Sequence, residues 1–205
     1  MKIGVIDYGA SNIFSVDRAL KSLGASTKII KTPKDFEKID KLVFPGQGSM
    51  GACLKKLSDN DLIDPLIKAI ENLPFLGICL GLQILFSESE ESQGAKGLGI
   101  FKERICKFSE FKDKKIKIPH MGWNQVEFIQ NHFLWNDLES NNNFYFVHSF
   151  VSKNISENDA FSKTFHGEFF DSAVAKDNIF ATQFHPEKSG KPGLKLLQNF
   201  LDWNI

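Results

Sequence analysis

The stretch Leu73-Pro-Phe-Leu-Gly-Ile-Cys-Leu-Gly-Leu-Gln-Ile-Leu-Phe86 leaves a chain of this kind few ways to fold. Pro74-Phe75-Leu76 has the apolar character of a buried strand, and Leu80 to Phe86 continues as an apolar segment with helical spacing. Between them, Gly77-Ile78-Cys79-Leu80-Gly81 turns strand sharply into helix, with the cysteine at the corner. This is the thiol counterpart of the G-x-S-x-G nucleophile elbow. Each glycine removes a Cβ where the turn brings backbone segments together. A thiol at a helix N-terminus meets free N–H groups and the positive end of the helix dipole, which favours its thiolate form. Spacing alone leaves two readings open, an exposed nucleophile or a small buried cysteine.

The chain before this stretch reads as alternating strand and helix. Lys2 to Ile6 is a continuous apolar strand ending in Asp7-Tyr8-Gly9. Asn12 or Ser11 can cap a helix running to about Leu23, closed by Gly24. A strand follows at Thr27 to Ile30, a short charged helix starts at Thr32-Pro33, and a third strand spans Lys41 to Phe44 before Pro45-Gly46-Gln47-Gly48. Helices are expected over Met50 to Leu57 and Asp61 to Asn72, the second with Leu62, Leu66, Ile67 and Ile70 inward. Such units build a right-handed parallel α/β sheet, whose ligands bind beyond the carboxyl ends of the strands. Asp7-Tyr8-Gly9, Pro45 to Gly48 and Cys79 all fall at such ends.

After Phe86 the pattern changes. Ser87 to Gly97 reads as a loop. Short strands are then expected near Arg104 to Phe108, Lys115 to Ile118, Asn124 to Phe128, Phe144 to Val147, Phe169 to Ala175 and Ile179 to Thr182. A helix from about Pro192 to Asp202, with Leu194, Leu197, Phe200 and Leu201 on one face, closes the chain. The expected fold class is α/β: a mostly parallel central sheet flanked by helices, with an antiparallel second layer from the C-terminal half, in one domain over residues 1–205.

Charge and cysteine usage narrow the function. Lys plus Arg and Asp plus Glu balance at 25 each, so nothing points to a nucleic-acid or membrane partner. Cys53, Cys79 and Cys106 are an odd number, far apart and without C-x-x-C spacing, which argues against a disulfide framework and against zinc, and for a reducing cytoplasmic setting. No apolar run reaches membrane-spanning length. No metal or cofactor is implied.

A nucleophilic cysteine needs a base, and the base an orienting group. Of five histidines, His132 and His166 read as surface residues, and His120 and His148 as hydrogen-bonded structural ones. His185 follows the apolar run Ile179 to Phe184 and precedes Pro186-Glu187. If the strand persists through the proline, His185 and Glu187 share a side, and a carboxylate there fixes the imidazole tautomer.

Gly77-Ile-Cys-Leu-Gly-Leu-Gln83, Pro45-Gly-Gln-Gly48 and His185-Pro-Glu187 together resemble a class I glutamine amidotransferase. More narrowly, Asp7-Tyr-Gly9, Pro119-His-Met-Gly-Trp-Asn124, Tyr145-Phe-Val-His-Ser149 and Gln183-Phe-His-Pro-Glu-Lys-Ser189 are similar to the glutaminase subunit of imidazole glycerol phosphate synthases, from the first strand to the last helix. The resemblance implies that Cys79 attacks the side-chain amide of glutamine, with His185 as acid and base and Glu187 holding the ring. It places Gln83, one helical turn from Cys79, on the substrate's amino-acid end. Glu91 is a candidate for the substrate's ammonium, with a solvated charge as the other reading. By position, the oxyanion donors are backbone N–H groups of Leu80 and of Gln47 or Gly48. The family usually has an apolar residue where Gln47 stands, which bears on how that loop rests. The implied partner is a (β/α)₈-barrel synthase subunit that receives the ammonia for an imidazole-forming reaction of histidine biosynthesis. Asn12, Trp123 and Lys188 are interface candidates, with helix capping or simple turns as the alternative. A paralogue amidating another acceptor, such as a surface-glycan sugar, and a catalytically silent regulatory subunit are the competing readings.

Overall fold

The computed structural model of the chain describes residues 1–9, 13–109 and 116–205. Four strands, β1 (Lys2–Ile6), β2 (Ser26–Ile30), β3 (Lys41–Phe44) and β4 (Phe75–Ile78), lie parallel in the order β2-β1-β3-β4. All four residues of β3 and of β4 are buried, which is what continuous apolar runs in the middle of a helix-covered sheet become. Val43 packs with helices α1 (Ile13–Ser22) and α5 (Gly190–Asp202) on one face. Leu42 and Phe44 pack with α2 (Met50–Asp59) and α3 (Ile63–Asn72) on the other. Side-chain alternation along β3 thus feeds two cores.

The final strand of the parallel set is the last in sequence. β12 (Ile179–Thr182) pairs parallel with β4, putting Thr182 opposite Ile78. It also pairs antiparallel with β11 (Phe169–Lys176), and the sheet continues through β10 (Ala160–Phe165), β7 (His120–Phe128) and β8 (Asn142–His148). The antiparallel half expected from the sequence is therefore joined edge to edge with the parallel half. Strands β5 (Phe86–Ser89), β6 (Phe101–Lys107) and β9 (Phe150–Ser152) branch from this path. The consequence for function is direct: β12 brings the residues after Thr182 beside the residues after Ile78.

A buried lysine locks the closing helix to the sheet. Lys41 is 2% exposed and its ammonium donates to the carbonyls of Phe200 at 3.0 Å and Leu201 at 2.6 Å. These are acceptors that a helix C-terminus leaves open, and a cation is favoured there.

Several sequence expectations shift. The helix after Cys79 is a single turn, α4 (Leu80–Gln83), and Phe86 already begins β5. A short, wholly apolar run fits either element, and pairing with β6 decides it. The expected loop from Ser87 accordingly opens with strand. Of the strand expected over Lys115 to Ile118, Lys115 lies outside the described residues and the rest is not strand. Ile67 and Leu194, expected inward, sit at the rims of their helices and are each 37% exposed. His132 is half-buried: its ring lies 4.5 Å from that of Phe180, and burial pulls its pKa down to about 4. His166 is half-buried, its ring stacked 4.1 Å from that of His120.

Candidate active site

Cys79 stands at the corner the glycine spacing demanded. Its backbone has φ 55° and ψ −100°, in the positive-φ region that costs a side-chain-bearing residue about 1–3 kcal/mol. The glycines make the corner possible. A Cβ on Gly77 would come within 2.5 Å of the Gly81 carbonyl oxygen, and one on Gly81 within 1.9 Å of the Phe44 carbonyl oxygen. The Cys79 N–H donates to the Thr182 carbonyl at 2.7 Å, tying the corner to the end of β12. Leu80, the first residue of α4, has no acceptor for its N–H within the helix. Cys79 is 7% exposed and opens onto a cleft of about 310 Å³, lined also by Gln47, Gly48, Gln83, Glu91 and Val147 to Phe150.

His185 follows β12, and its N–H donates to the Tyr145 carbonyl at 2.8 Å. The strand does not persist: Pro186 to Lys188 form a 3-10 turn, with the proline at its start. The turn nonetheless closes the pair, with His185 Nδ1 2.8 Å from Glu187 Oε1 and both side chains fully buried. Cys79 acts on the same imidazole as its largest charge partner. Burial alone would lower the imidazole pKa. The charge and hydrogen bond of Cys79, then those of Glu187, outweigh it and push the value up to about 10. Cys79, His185 and Glu187 thus meet as nucleophile, base and orienter.

The other expected site residues are partly as anticipated. Gln83 lines the cleft, but both hydrogens of its amide are engaged, with the Phe150 carbonyl and Gln183 Oε1, each at 3.3 Å. Only its carbonyl oxygen remains to face a ligand. Glu91 lies at the cleft's rim, its carboxyl pushed up by burial. In the Pro45–Gly48 loop, the Gln47 N–H donates to Tyr8 Oη at 3.0 Å, and the Tyr8 hydroxyl donates to the Gln47 carbonyl at 3.0 Å. The Gln47 N–H is therefore taken in this conformation, contrary to the expectation that it serves the oxyanion. Gly48, with φ 96°, is the loop's candidate donor. Tyr8 itself is buried, stacked on Phe44 at 5.6 Å, and its hydroxyl fills the space where Gly46 lacks a side chain. Its position at the end of β1 was the only sequence signal for this contact.

Two more residues were quoted in sequence motifs without a role at the cleft. Gln183, fully buried, places its amide nitrogen 3.5 Å from Cys79 Sγ. His148 joins His120 across the β7–β8 pair, His120 Nδ1 to His148 Nε2 at 3.0 Å, and burial holds both imidazoles well below their usual range, His120 at about 3. Of the interface candidates, Trp123 is 58% exposed and edge-on to Tyr145 at 6.1 Å, and the Lys188 ammonium sits 5.9 Å over the same Tyr145 ring. Asn12 lies outside the described residues. Among the described residues no group of His, Cys, Asp or Glu is placed to hold a metal ion, and no helix is long and apolar enough to cross a membrane.

The family model described as "Glutamine amidotransferase class-I" matches residues 4–203. The chain belongs to the class I glutamine amidotransferases. Within the family it is similar to curated proteins named imidazole glycerol phosphate synthase subunit HisH. The protein from Hydrogenovibrio crunogenus is 42% identical over 98% of this chain and 96% of its own length. That from Methanocaldococcus jannaschii is 44% identical over 98% of both chains. That from Nitrosomonas europaea is 45% identical over 98% of both. A solved structure described as a glutamine amidotransferase superposes with a TM-score of 0.75 over 98% of this chain and 97% of that one, at 20% identity, and confirms the fold.

Proposed function

We propose that this class I glutamine amidotransferase is the glutaminase subunit of an imidazole glycerol phosphate synthase of histidine biosynthesis, acting in the cytoplasm as one domain docked on a (β/α)₈-barrel subunit. The observation that carries the chemistry is Cys79 at a strained strand-to-helix corner, electrostatically coupled to a His185 that Glu187 orients. Full-length similarity to the HisH proteins supports the acceptor.

Glutamine enters the cleft with its side-chain amide at Cys79 and its amino-acid end toward Gln83 and Glu91. The Cys79 thiolate attacks the amide carbon. The oxyanion that forms is met by the N–H groups of Leu80 and Gly48. The intermediate collapses as the His185 imidazolium gives its proton to the departing nitrogen, releasing ammonia and leaving a γ-glutamyl thioester. Water then attacks the thioester and His185 takes its proton. Collapse of the second intermediate expels the thiolate and frees glutamate. Glu187 stabilises the imidazolium throughout.

Ammonia is useful to an acceptor only while unprotonated, so a sheltered route into the partner follows from the chemistry. The exposed face carrying Trp123, Met121 and the Tyr145–Lys188 pair is the proposed docking surface. The test is glutamate release by the purified chain, alone and with its barrel subunit and acceptor ligand. The reading expects release stimulated by the partner and abolished by Cys79→Ala. Full turnover in Cys79→Ala would reject the assigned chemistry, and strong turnover indifferent to any barrel subunit would reject the partner.

A further inference from the structure

The proposed reaction leaves unused three buried side chains near the nucleophile: Gln183, His148 and His120. They belong to one hydrogen-bonded network whose directions are all determined. The Phe150 carbonyl can only accept, so the Gln83 atom 3.3 Å from it is the amide nitrogen. That nitrogen is also 3.3 Å from the Gln183 side chain, which must therefore present its oxygen there. The other terminal atom of Gln183, 3.5 Å from Cys79 Sγ, is then the nitrogen, and its N–H faces the sulfur. The far side of the network is equally constrained. His148 Nδ1 donates to the same Phe150 carbonyl at 3.1 Å, so its Nε2 accepts from His120 Nδ1 at 3.0 Å. His120 Nε2, left without a hydrogen, accepts from the Asn124 amide at 3.2 Å. Two donor chains thus meet at the Phe150 carbonyl, one arriving from β7 through His120 and His148 and one from Gln83, whose second N–H fixes Gln183 against the nucleophile.

We infer that Gln183 is a further catalytic residue, its side-chain N–H held against Cys79 Sγ by Gln83 so that it stabilises the thiolate that attacks the amide. Gln183 is wholly buried and has no exposed amide to spend on water. A hydrogen bond to a charged acceptor is about twice as strong as one between neutral groups, so the contact strengthens when the thiol ionises. The effect is selective for the charged state, which is what distinguishes it from packing.

The inference rests on Cys79 being the nucleophile, and its test separates the two. The pH profile of iodoacetamide alkylation is read on the Cys79 peptide alone, for the full chain and for Gln183→Leu and Gln183→Glu, with melting curves to verify folding. Glu keeps the acceptor that Gln83 needs but turns an oxygen to the sulfur. Both variants are expected to move the profile to higher pH by about one unit, and kcat for glutaminase with the barrel subunit to fall roughly 10- to 100-fold, with the KM for glutamine little changed. Alkylation profiles that superimpose on the unmodified chain's, or a loss confined to KM or to stability, would overturn it. Failure of the nucleophile assignment shows separately, as turnover surviving in Cys79→Ala.

Discussion

Two buried histidines, His148 lining the cleft and His185 coupled to Cys79, are shifted in opposite directions. His185, at the end of β12, is pushed up to about 10, whereas His148, at the end of β8, is held well below its usual value. Both are buried, and burial by itself penalises the imidazolium in both. The difference lies in what each ring faces. His185 has Cys79 as its largest charge partner and the Glu187 carboxylate on Nδ1. His148 has a neutral imidazole on one and a backbone carbonyl on the other. Cys79 and the Glu187 carboxylate outweigh desolvation and make one ring a proton carrier; dipolar partners leave the other a neutral hydrogen-bond relay.

The sharpest way to break this contrast is Glu187→Gln. The amide can still accept the Nδ1–H but carries no charge, so His185 drifts toward the behaviour of His148. We expect kcat for glutaminase to fall about 10²- to 10⁴-fold, measured by glutamate release with the barrel subunit. A pH profile sharpens the same point. Because the raised His185 value keeps the imidazolium, the alkaline limb of kcat/KM should lie near pH 10, and the stability contributed by the pair, fully present below about pH 6.5, should disappear as pH rises through about 10. An alkaline limb near neutrality would show that Cys79 and Glu187 do not govern the ring.

His148→Leu probes the other member. It leaves the His120 N–H unpaired in the interior and removes one of the two donors to the Phe150 carbonyl, a cost of about 1–3 kcal/mol. We expect a lower melting temperature and a higher KM for glutamine, both largely restored in His148→Asn, whose amide can still donate to Phe150. The smallest expected effect is on acid stability. His120 has its value depressed to about 3, first by burial and then by His166, so its contribution is complete above about pH 6.5 and lost as pH falls toward 3. Thermal melts in that window, repeated in His120→Gln, should show a shallower slope in the variant.

The same contrast explains what could be read from the sequence. The Cys79 corner is set by contacts among neighbours: Gly77 clears Gly81, and Gly81 clears the end of β3. His185 and Glu187 meet across two residues. Such local constraints leave a signature in spacing. The Gln183 contact does not, because it depends on Gln83 lying 100 positions away and on β12 inserting beside β4. The His120–His148 pair was legible as structural, but its link to the cleft through Phe150 waits on the β8–β9 geometry. Strands β5 and β9 escaped for the same reason, each being short and defined by its partner, whereas β10 is six residues long with alternating burial and did carry a pattern.

The account stands on Cys79 becoming covalently acylated. Acid quenching of the partnered enzyme during turnover of glutamine, followed by peptide mapping, should find a γ-glutamyl adduct on Cys79 and on neither Cys53 nor Cys106. An adduct elsewhere, or steady turnover with Cys79 unmodified under conditions where hydrolysis of the thioester is rate-limiting, would contradict it.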